Sequence, residues 1–180
     1  MSEQKRYYGK YRGLVLNPVD VAFNGKVLAS VIVGGLPLQV QAEACTPYAG
    51  PGVGFYAIPP VGAGVWIEFE EGDLDKPIWA GCWWKEGEVL ALLTPDIAPP
   101  PSPASAAALV VLRTPTARLK LSTLTGEVTL ESLLPPGSPA LPTAVHITPV
   151  MIEITFGVNT VRLTPAGVLI NNTALMVLPG

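Results

Sequence analysis

The sequence predicts an all-β protein in two parts, a small barrel in the first half and an elongated array of strands in the second. Three observations carry this. Apolar and polar residues alternate over short runs along the chain, the period of strands with two unlike faces. The 180 residues include 20 prolines and 18 glycines, which interrupt long helices and supply turns. Charged residues make up only 14% of the chain, against ~25% in an ordinary soluble domain, and they become sparse after residue 108.

Residues 1–10 are polar and read as a mobile lead-in. They hold no apolar core of a signal peptide, so synthesis in the cytoplasm without a secretory leader is expected. Residues 11–90 form the expected barrel. Tyr11 to Leu16 is its first strand, stopped by Asn17-Pro18. Asn24-Gly25 introduces the second, Lys26 to Val33. Leu38 to Cys45 alternates cleanly and gives the third. A long Gly/Pro loop follows, and then a hairpin within Gly54 to Trp84. In its first arm Val65, Ile67 and Phe69 face one way and Trp66, Glu68 and Glu70 the other. Gly72 to Lys76 turns the chain, and Ile78 to Trp84 returns. Five short strands with a long third-to-fourth connection suit a closed barrel of the OB type, in which closure removes exposed edges. The usual helix of that connection is not expected, because residues 46–64 are too rich in proline and glycine. A small sandwich is the alternative.

Residues 91–108 read as a Pro/Ala-rich linker, with Pro99 to Pro101 favouring an extended, semi-rigid segment. In residues 109–180 eight short strands are expected: LVVLR, ARLKLST, EVTLES, AVHIT, MIEITF, TVRLT, GVLIN and ALMVL. Turn groups separate them, at a spacing near ten residues in the last third. Some 70 residues of this kind bury little surface alone. Three intertwined chains forming a stalk would cap each other's edges. A single-chain sandwich is the alternative.

Composition excludes some classes. No apolar run approaches the ~18 residues of a membrane helix. A net charge of −3 without a basic stripe disfavours nucleic acid. Cys45, Cys82 and His146 are too scattered for a metal signature, and the two cysteines are expected as reduced, buried thiols, with a disulfide across the sheet as the alternative. Glu68, Glu70, Glu71, Asp73 and Asp75 form the densest acidic group. A carboxylate-pair hydrolase needs two of them in a cleft; a solvated face or subunit contact is the simpler reading. Trp79, Trp83 and Trp84 offer stacking surfaces for sugars or bases. Strict alternation puts Trp79 and Trp83 on one face and Trp84 on the other, as barrel core and interface. No catalytic triad or phosphate-binding loop is present in the pattern, and no cofactor is expected. His146 is a candidate axial metal or anion ligand, should three copies meet on a threefold axis.

Three segments carry a family resemblance: Tyr8 to Val15 (YGKYRGLV), Pro59 to Asp73 (PPVGAGVWIEFEEGD) and Pro77 to Trp84 (PIWAGCWW). Together they resemble the OB domain of contractile-tail spike proteins. These are phage baseplate assembly protein V, the spike of extracellular injection particles and the VgrG proteins of type VI secretion. Ile154 to Thr164 with Gly167 to Ile170 is similar to their stalk repeats. The resemblance implies a non-enzymatic homotrimer. Three barrels would meet a baseplate hub or tail-tube protein, and three C-terminal segments would wind into a β-helix or β-prism. That needle would be driven through the target membrane when the sheath contracts, and would touch the membrane only then. The chain would be part of a virion tail or injection particle. A lysozyme domain found in some relatives has no place here, since its position holds only the proline linker. The tip iron site of some short spikes needs His-x-His, whereas His146-Ile147-Thr148 offers one histidine. The apolar end, with Leu175, Met176, Val177 and Leu178, is the expected seat of a PAAR-like tip protein. An OB module binding glycan or another surface polymer is the alternative function, and a small glycan hydrolase the third.

Overall fold

The computed structural model describes residues 5–93, 102–134, 138, 141–172 and 174–177. The chain divides into two compact units, Met1–Val89 and Leu90–Gly180.

The first unit is a closed barrel. Its strands are β1 (Tyr11–Asn17), β2 (Val27–Val33), β3 (Leu36–Ala44), β6 (Gly64–Phe69) and β7 (Pro77–Trp83), in the order β1-β2-β3-β7-β6 and back to β1. Every pairing is antiparallel except β3 with β7, which run parallel at Glu43↔Ile78 and Ala44↔Trp79. This is the five-stranded Greek-key barrel of the OB fold. The connection after β3 contains only a minimal hairpin, β4 (Ala49–Gly50) and β5 (Val53–Gly54).

Alternation builds the core. Val27, Ala29, Val31 and Val33 of β2 point inward with Val15, Val65, Ile67 and Phe69, and Trp79 closes the interior. The Trp79 indole N–H donates to Gly25 O at 3.1 Å. Gly13 is small for a reason: a Cβ there would stand 2.9 Å from Ile67 Cγ1. The turn after β6 is a single 3-10 turn, Glu70–Gly72, with Glu71 at φ 51°.

The lead-in, expected to be mobile, is tied down over the residues described. Tyr7 N–H donates to Gly72 O at 2.9 Å, Arg6 Nη1 reaches Glu71 O at 3.3 Å, and Lys10 pairs with Glu68. Residues 1–4 lie outside the described residues.

Two short helices lie at the start of, and within, the stretch read as linker. The first is α1 (Glu88–Leu93) and the second α2 (Pro103–Ala107). Ser102 caps α2 by accepting the Ser105 N–H at 3.1 Å, with Pro103 opening the first turn. The triple proline lies outside the described residues.

The second unit is one antiparallel meander of eight strands, each paired with its neighbour in sequence. They are β8 (Leu109–Arg113), β9 (Ala117–Ser122), β10 (Val128–Ser132), β11 (Thr143–Thr148), β12 (Met151–Phe156), β13 (Asn159–Thr164), β14 (Gly167–Ile170) and β15 (Leu175–Val177). Left-handed residues turn the chain between strands, including Gly126 at φ 69° and Asn171 at φ 48°.

Candidate functional site

Register decides what the eight-stranded sheet presents. One row across it reads Val110, Leu121, Val128, Ile147, Ile152, Leu163, Val168, Val177. The row two residues away reads Leu112, Leu119, Leu130, Val145, Ile154, Val161, Ile170, Leu175. Rows two residues apart share a face, so sixteen aliphatic side chains cover one side without a break. They are not buried: Leu112 is 57% exposed, Ile154 48% and Leu175 54%. Partly to half exposed, they amount to on the order of 1,000 Å² of apolar surface, about twice the largest patch of an ordinary monomer.

The other face holds the charges. The row between the two apolar ones contains Lys120, His146, Glu153 and Arg162. Arg162 pairs with Glu153 across β12 and β13. Arg118, only 6% exposed, binds Glu131 Oε1 through Nη2 at 2.6 Å and Nε at 2.8 Å. His146 belongs to this side, its Nε2 3.8 Å from Glu127 Oε1. If the apolar face turns toward an axis, His146 points away from it. The sequence showed each strand's alternation. It hid the fact that all eight alternations fall in phase, which only the pairing register reveals.

The proposed tip residues Leu175, Met176 and Val177 form β15, which pairs with β14 on one side. All three are about half exposed. Leu178 lies outside the described residues.

In the barrel, only Glu70 and Asp75 of the acidic group line a common cleft, of about 270 Å³, which they share with Glu43, Lys26 and Lys76. Glu68 is engaged by Lys10, Glu70 opens the 3-10 turn, and Asp73 accepts the Asp75 N–H at 3.1 Å. Among the described residues no group of three or more His, Cys, Asp or Glu is placed to hold a metal, and no helix is long and apolar enough to cross a membrane.

Trp79 and Trp83 do not share a face. Val65 pairs with Cys82 and Ile67 with Trp79, so two steps along β6 match three along β7. The extra residue is a bulge, with Gly81 at φ 112°. It flips the remainder of β7 and places Trp83 outside beside Trp66, ring centroids 6.4 Å apart. The Arg12 guanidinium lies 5.1 Å from the Trp66 ring and 4.5 Å from that of Trp83, so these faces are already engaged. Trp84 lies beyond the strand and is 62% exposed.

The cysteines are also placed differently from expectation. Neither is in a disulfide and both are exposed. Cys45 follows the end of β3 and Cys82 follows the bulge, so the strand pattern that implied burial stops short of each. Both line a cavity of about 700 Å³ with Phe23, Tyr48, Phe55 and Tyr56. Partial desolvation pushes the Cys82 thiol pKa up.

The closed five-stranded barrel is consistent with one family. Residues 11–84 match the family model of the type VI secretion system/phage-baseplate injector OB domain. This part of the chain is similar to that family. The match spans β1 to the end of β7, the whole closed barrel. No curated protein matches the chain. The match supports a structural injector role in general.

Proposed function

We propose that this chain is the central spike of a contractile injection machine such as a phage tail, a homotrimer that pierces the target envelope without catalysis. The observation that carries the reading is the pair of unbroken aliphatic rows across the second unit. Such a face demands a cover. Three copies, each contributing one wall with its rows inward, enclose a dry prism and leave the charged faces in water. Burying about 1,000 Å² per chain is worth on the order of 25 kcal/mol gross at ~25 cal/mol/Å², against which the association and side-chain ordering costs are set. A close-packed interior of low compressibility transmits axial force. The threefold count rests on the injector family.

In this reading the barrels sit on a hub or tail-tube protein and the β15 edge receives a PAAR-like tip. Its unpaired main-chain groups and half-exposed Leu175, Met176 and Val177 invite a cap. Solution mass by light scattering tests the assembly. The full chain is expected at three times its 18.9 kDa, and Ile154→Asp, in the middle of an apolar row, is expected to lower it to a monomer. A full chain that is monomeric across micromolar concentrations overturns the proposal.

A further inference from the structure

The cavity that holds the two cysteines has features that barrel packing does not account for. Its volume, about 700 Å³, is in the range of real ligand sites. None of the residues lining it is charged. One wall is main chain. β7 pairs with β3 only at Ile78 and Trp79, and Cys45 N–H donates to Trp79 O at 3.0 Å. Beyond Trp79 no described strand pairs with that edge, and there Gly81 and Cys82 border the cavity. The facing wall is the loop around β4 and β5, held together by the Phe55 N–H bond to Tyr48 O at 2.9 Å.

A third side is the β1–β2 loop. Asp20 accepts N–H groups from Ala22, Asn24 and Lys26 at 3.0, 2.7 and 3.1 Å, which fixes the loop. Within it Phe23 has φ 56° and is 92% exposed. A strained backbone that holds an aromatic ring in water stabilises nothing inside the barrel. It marks a surface built for contact.

We propose that this groove docks an extended, uncharged segment of a partner protein, which adds as a strand to the open edge of β7. The chemistry selects the occupant. Unpaired N–H and C=O groups in apolar surroundings are best satisfied by another main chain. Phe23, Tyr48, Phe55 and Tyr56 then receive alternate apolar side chains. A charged segment would be desolvated with no counter-ion in the lining. This site lies wholly within the barrel unit and is independent of the assembly proposed for the second unit.

The test pans a random peptide library on the full chain and uses the synthetic winner as the probe. Expected are an uncharged consensus with alternating apolar residues, and at least tenfold weaker binding to Phe23→Asp. N-methylation along one edge of the peptide is expected to weaken it at least tenfold, and along the other edge to be tolerated. The bound peptide should slow alkylation of both Cys45 and Cys82 by iodoacetamide. A charged consensus, tolerance of N-methylation on both edges, unchanged alkylation or no enrichment overturns the proposal. So do thiols already protected without peptide and released on dilution, which would assign the groove to a second copy. Phe23 is solvent-exposed, so its replacement tests contact and not folding.

Discussion

Trp83 lies directly on Gly64. A Cβ at Gly64 would stand 2.5 Å from Trp83 Cε2 and 2.7 Å from its carbonyl oxygen. The indole N–H donates to Val65 O at 3.1 Å, and Arg12 covers the ring. The glycine is thus the seat of an aromatic ring that the bulge in β7 has turned outward.

Gly64→Ala is expected to destabilise the barrel by about 1–3 kcal/mol, the usual range for overpacking. Urea unfolding measures this. Trp83→Ala removes the obstructing ring, so the double mutant should lose less than the sum of the two single changes. Additivity would mean that the ring does not occupy the space above Gly64.

On the charged face of the second unit, the two ion pairs differ in burial. Glu131→Ala removes the carboxylate that Arg118 holds through Nη2 and Nε, on a side chain only 6% exposed, and is expected to cost about 1.5–3 kcal/mol. Glu153→Ala removes the partner of Arg162, whose side chain is 37% exposed. That change is expected to cost no more than about 1 kcal/mol. Guanidinium unfolding of the two variants side by side gives the ranking, and equal losses would contradict it.

Asp20 sets a pH dependence. The N–H of Lys26, with those of Ala22 and Asn24, holds its carboxyl pKa below the usual carboxylate value. A folded pKa below the unfolded one means stability that is complete above the unfolded pKa of about 3.9. It is lost as pH falls through the lower folded value. NMR should show the Asn24 amide shift titrating with the Asp20 carboxyl below pH 4. In Asp20→Asn that acid transition of the loop should vanish.

Cys82 should be a slow thiol. Desolvation raises its pKa, so at pH 8 less of it is thiolate than of a free thiol. Mass spectrometry after timed iodoacetamide treatment should find it modified without denaturant, but more slowly than glutathione, with the gap closing as pH rises. Modification as fast as glutathione at pH 8 would contradict the desolvation.

Local pattern made much of this fold legible. Each of the five barrel strands and eight meander strands stands where alternation and turn residues put it, within a residue or two at the ends. Pairing is a different kind of information. The single extra residue near Gly81 reverses Trp83, and strict period-two reasoning cannot see it. The same limit applied to the cysteines, which sit just past the stretches where alternation implies burial. His146 was legible as a strand residue. Which neighbours it faces depended on the register of β10, β11 and β12. Short helices such as α2 follow from a cap and one proline, signals weaker than the alanine- and proline-rich composition around them.

Every strand from β8 to β15 bonds to the strand just before or after it in the chain. Such a sheet pairs only neighbours in sequence, so it can form in order of synthesis, whereas the barrel must wait to join β1 to β6. The same connectivity makes height a countable property. Each strand adds about 4.8 Å, so inserting or deleting one hairpin changes the sheet by about 10 Å and leaves every other register intact. Length becomes a trait that selection can alter two strands at a time, without redesigning the rest.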